Sequence, residues 1–170
     1  MLHRYLTYIV FLVILGIGER AQAQSLKNYA YHPTYIYNFC RFTQWPQNKT
    51  QITIGVLGNS PIQQGLQKMA ATKSNYNLKF VVKRFNTVSE INGCDVLFVP
   101  YATNTDIKQV HQKIVGKSVM LITENEQQKE YACFNFIGVN GKLMYQINKS
   151  QCEKSNLKVS QKLYALSSPL

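Results

Sequence analysis

The groups with which this chain can do chemistry are few. Beyond residue 23 they are four cysteines, Cys40, Cys94, Cys133 and Cys152, two histidines, His32 and His111, and every carboxylate except Glu19. No two cysteines stand in Cys-x-x-Cys spacing, and two histidines fall short of the ligand cluster that zinc needs. A nucleophile elbow of the Gly-x-Ser-x-Gly type is absent. Glu124, Glu126 and Glu130 read as members of one polar loop, Glu90 and Glu153 as solvated, and Asp106 as part of a first helical turn. Asp95 follows Cys94 at the entry to an apolar strand, where a carboxylate is more often a hydrogen-bonded structural group than a catalyst. His111 reads as solvated on the polar side of its helix. The reading is therefore of a protein that is not an enzyme, with no catalytic residue, no metal ligand set and no cofactor.

The segment VLGNSP, residues 56–61, ends a strand in a Gly turn and opens a helix. It lacks both the Walker spacing and the Gly-x-Gly-x-x-Gly dinucleotide fingerprint. Free amides at the start of that helix, near Ser60, leave an anion site open as an alternative to an ordinary strand-to-helix turn. The densest feature is aromatic: Tyr29, Tyr31, Tyr35, Tyr37, Phe39, Phe42 and Trp45. Phe39 and Trp45 belong to the core by spacing, whereas Tyr35 and Tyr37 lie on other faces of the same helix, with Arg41 one turn after Tyr37. Exposed Tyr with Arg is a composition favoured at partner interfaces; packing under the preceding segment is the alternative. Tyr35, Tyr37, Arg41 and Ser60 are the candidate partner or ligand contacts, and Trp45 and Pro46 the structural pair that stops the helix.

The compartment decides what the cysteines do. Arg4 precedes an apolar run from Leu6 to Ile17, and Ala21-Gln22-Ala23 supplies small residues at a cleavage position, so residues 1–23 read as a secretory signal peptide cleaved after Ala23. The run is broken by Glu19 and Arg20 before it reaches the length of a membrane span. An exported chain meets oxidising conditions, so disulfides among Cys40, Cys94, Cys133 and Cys152 are expected, with all three connectivities open. Basic residues outnumber acidic ones 19 to 8 over the whole chain. The excess is spread as single lysines, which fits solubility and attraction to an acidic partner or anionic lipid; a nucleic-acid binder concentrates charge in a stripe, so nucleic acid is not expected.

Residues 24–170 have the length of one domain. A helix spans Pro33 to Trp45 by the spacing of Ile36, Phe39, Cys40 and Thr43. ITIGVLG is a buried strand, Ser60 caps a helix with Pro61 at its first position, and NLKFVVKRF and CDVLFVP are strands. Thr105 caps a helix carrying Ile107, Val110 and Ile114, and SVMLIT is again a strand. Asn140-Gly141 between CFNFIGV and KLMYQIN is a hairpin signal, and one helical stretch runs from about Asn148 to Leu166. The predicted fold is α/β: a single-domain helix-covered mixed β-sheet with a C-terminal β-hairpin and terminal helix.

Taken in order, YIYNFCRFTQWP, ITIGVLG, CDVLFVP, SVMLIT, a hairpin ending in YQIN and a terminal LKVSQKLYALS resemble the YfiR family of bacterial periplasmic proteins, over about Tyr31 to Leu166. The resemblance implies a compact, dimeric periplasmic α/β regulator. Its partner would be a membrane-bound sensor, best exemplified by a diguanylate cyclase held down through its periplasmic domain, so that cyclic-di-GMP signalling and biofilm formation fall. Cys94 sits at the familiar strand entry, but Cys40 and Cys152 depart from the pattern, so the resemblance lends no disulfide map and no catalytic residue. A small-molecule binding module with no signalling partner is the alternative function.

Overall fold

The computed structural model describes residues 29–170, so the signal peptide and its cleavage point lie outside the described residues. Among the described residues eight strands and five α-helices follow one another. They are α1 (His32–Arg41), β1 (Thr43–Gln44), β2 (Gln51–Leu57), α2 (Ile62–Lys73), β3 (Lys79–Phe85), β4 (Val96–Val99), α3 (Ile107–Ile114), β5 (Met120–Thr123), β6 (Phe134–Val139), β7 (Lys142–Ile147), α4 (Lys149–Lys154), β8 (Lys158–Val159) and α5 (Gln161–Tyr164). The main sheet has six strands in the order β3-β2-β4-β5-β6-β7. All neighbours are parallel except β6 and β7, which form the antiparallel hairpin. β4 and β5 are buried at every position because helices or helical turns cover both faces, the reason central parallel strands read as continuous apolar runs.

Strand alternation divides the core. Ile52, Ile54 and Val56 of β2, Val96 and Phe98 of β4, and Met120 and Ile122 of β5 pack with α1 and α2. Leu97, Val99 and Leu121 face the other way, against Ile107, Val110 and Ile114 of α3. Gly65 lets α1 and α2 approach closely, since a Cβ there would lie 2.8 Å from Pro33 Cγ. The hairpin turn has Asn140 at φ 49 and Gly141 at φ 74, the positive values that Asn-Gly accepts at low cost.

Four local expectations are corrected. The first helix stops at Arg41, because Thr43–Gln44 leaves it to pair with Lys158–Val159 and the Phe42 carbonyl accepts from the Ser160 amide at 2.8 Å. The C-terminal stretch is two short helices with a strand between them. Asn156, at φ 56, ends α4: the Leu157 amide returns to the Cys152 carbonyl and the Asn156 amide to that of Glu153, a Schellman arrangement. Asp106, not Thr105, caps α3 by accepting from the Lys108 amide at 3.0 Å. Ser60 makes only a 3.5 Å contact to the Ile62 amide, and α2 starts after Pro61 without a side-chain cap.

Candidate functional site

The parallel strands run in the order second, first, third, fourth, fifth, so the chain reverses direction across the sheet between β2 and β4. In doubly wound sheets the rim beyond the carboxyl ends of the strands at that point is where ligands sit. Here the rim carries a buried polar cluster and, beside it, an open cleft.

Glu124, the residue after β5, is buried and lies 3.0 Å from His32 Nε2, with neither side chain exposed. The approach is off the ring N–H direction, so both imidazole nitrogens and Glu124 Oε1 are without a hydrogen bond; the pair is an electrostatic contact instead of an aligned bond. Glu124 Oε2 accepts from the Tyr29 hydroxyl at 3.1 Å and from the Tyr101 amide at 2.9 Å. Burial, reinforced by the Glu124 carboxylate, pushes the Tyr29 phenol well above its ordinary range. Tyr29, Phe98 and Phe136 surround the imidazole. Glu124 does open the loop after β5, but unlike an ordinary loop carboxylate it is buried. A carboxylate directly after an apolar strand, and a histidine directly before the Pro that opens α1, were the signals available for it.

Beside this cluster, Leu57–Asn59, Asn86–Val88, Ala102, Thr103 and Thr105 line a cleft of about 340 Å³. Its polar lining is neutral: Asn59, Asn86, Thr87, Thr103 and Thr105. Gly58, at φ 76, keeps the floor open, since a Cβ there would stand 2.7 Å from Thr103. The lining offers hydrogen bonds but no group for proton transfer or nucleophilic attack. Among the described residues no three His, Cys, Asp or Glu side chains gather where a metal ion could be held.

The four predicted contact residues do not share one place. Ser60 is buried. Tyr35 is half-buried, its hydroxyl donating to the Leu143 carbonyl at 3.3 Å and its ring packed on Phe39, Phe136 and Tyr145. Tyr37 and Arg41 do adjoin each other at the surface. The guanidinium lies 5.6 Å from the Tyr37 ring centre and 5.7 Å from that of Phe42, while Lys73 and Lys162 approach the same two rings at 5.4 and 5.7 Å. Exposed cation–π contacts of this kind contribute about 0.5–1 kcal/mol each. His111 is partly covered by Tyr131, at 5.6 Å between ring centres, so it is less solvated than expected.

Cys133 and Cys152 form a disulfide that ties the residue just before β6 to α4. Cys40 and Cys94 are free and buried; burial, with the Asp95 charge second, raises the Cys94 thiol to about 11 and Cys40 further. Asp95 has the structural role anticipated for it: Oδ2 accepts from the Thr53 amide at 2.8 Å and Oδ1 meets Lys49 Nζ at 2.8 Å. Trp45 is half-buried against the α1 side of the core and its indole donates to the Cys40 carbonyl at 3.3 Å, whereas Pro46 is exposed.

No curated protein matches the chain at a significant level. A family described as YfiR/HmsC-like matches residues 29–168, nearly all of the described chain. Proteins of that family are periplasmic and act in the regulation of cyclic-di-GMP signalling. The helix-covered sheet, its hairpin and this match together make the chain a member of the YfiR/HmsC-like family.

Proposed function

We propose that the protein is a periplasmic regulator without catalytic activity that binds and represses or modulates a membrane-bound signalling partner, in the first instance a diguanylate cyclase, through that partner's periplasmic domain. It acts in this reading as a homodimer. The observation that carries the reading is the family match across residues 29–168. Deleting the gene is expected to change the cellular cyclic-di-GMP level, and crosslinking in the periplasm to recover a membrane protein. An unchanged level, with no membrane protein recovered, refutes it.

The cleft at the strand rim favours a second reading, a module that binds a small neutral ligand. A thermal-shift screen of polar metabolites separates the two, because a ligand at 100 times its dissociation constant stabilises by about 2.7 kcal/mol.

A further inference from the structure

We propose that the row of cations on the Tyr37 and Phe42 rings is the docking surface for an acidic, extended segment of a protein partner. The inference rests on the reading of the protein as a regulator that binds another protein, and it names the surface and the chemistry of what binds there. Lys73, Tyr37, Arg41, Phe42 and Lys162 alternate cation and ring, drawn together from α1, α2 and α5. All three cations are exposed, and none takes part in any ion pair found among the described residues. Lys79 and Lys158, exposed on the adjoining strands β3 and β8, extend the field with the same sign.

Charge sets the kind of occupant. A second copy would bring the same cations face to face, so this surface is unsuited to self-association. A lipid surface is held by diffuse charge together with apolar side chains that insert, but here Tyr37 and Phe42 are half-buried and overlaid by the cations. Cations held over rings are instead localised at discrete points. An extended segment repeats its side chains on one face about every 7 Å, so acidic residues at alternate positions can meet successive cations.

The test uses the mature protein, a fluorescein-labelled peptide of alternating Glu and Ser, and two triple variants of equal net charge. Arg41→Glu with Lys73→Glu and Lys162→Glu reverses the row. Lys108→Glu with Lys113→Glu and Lys117→Glu reverses three exposed lysines of the α3 region on the opposite face. With melting temperatures matched, the first is expected to weaken peptide binding on the order of tenfold or more and the second by less than about threefold. If the first does not fold, the Gln versions of both triples give the same comparison. Equal weakening in the two, or binding that depends on the row only with phosphatidylglycerol vesicles and not with peptide, overturns the proposal. A gene deletion that leaves cyclic-di-GMP unchanged, with no membrane protein recovered by crosslinking, would refute the regulatory reading while leaving the peptide result to stand or fall separately.

Discussion

His32 and Glu124 meet at 3.0 Å inside the protein, one at the start of α1 and the other at the end of β5, with no solvent reaching either side chain. Through its other oxygen Glu124 also holds Tyr29 and the turn at Tyr101, so one carboxylate ties two separate chain segments, residues 29–32 and the turn at Tyr101, to the carboxyl rim of the sheet.

Removing that carboxylate leaves the Tyr29 phenol and the Tyr101 amide without their acceptor and the buried His32 imidazole without its close neighbour. Glu124→Ala is therefore expected to lower stability by about 2–5 kcal/mol, at roughly 1–3 kcal/mol for each donor left unsatisfied. Urea unfolding monitored by far-ultraviolet circular dichroism reads this directly. A midpoint equal to that of the wild type contradicts the role.

The free thiols make alkaline stability predictable in sign. Cys94 ionises near 9 in an unfolded chain but near 11 in the fold, and Cys40 is raised in the same direction. The folded state thus keeps protons that the unfolded state releases. This contribution is complete below pH 9 and is lost as pH rises through 9 to 11. The denaturation midpoint is expected to fall over that window and to fall less in Cys94→Ala. At pH 8 a thiol reagent should label both cysteines only after denaturant is added.

The disulfide joins residues 19 apart in sequence. Closing a loop of that size restricts the unfolded chain by about 3 kcal/mol in the entropy model. The Cys133→Ser, Cys152→Ser double variant is expected to lose about that much, and reducing agent should weaken the native protein but not the variant. Equal responses of the two to reductant would count against the bond.

Trp45 covers the core edge without being enclosed by it. Trp45→Ala is expected to cost about 2 kcal/mol, below the roughly 3–5 kcal/mol of a fully buried aromatic, because the ring is only partly enclosed. Thermal unfolding of the purified variant measures the loss, and an unshifted melting temperature would show that the ring contributes nothing.

Local patterns in the sequence determined the apolar central strands, the inner faces of the first three helices, the Asn140-Gly141 hairpin and the family. Each of these depends on neighbours a few residues apart, where periodicity and turn chemistry act. Even locally, a competing partner changed the outcome at two places: β8 drew Thr43 and Gln44 out of the first helix, and left-handed Asn156 divided the last one. Only the tertiary structure decided that Cys133 pairs with Cys152, that Glu124 is buried against His32, and that Arg41, Lys73 and Lys162 share two rings. Those juxtapositions join residues far apart along the chain, and they follow from how the helices lie on the sheet, which no short window of residues encodes.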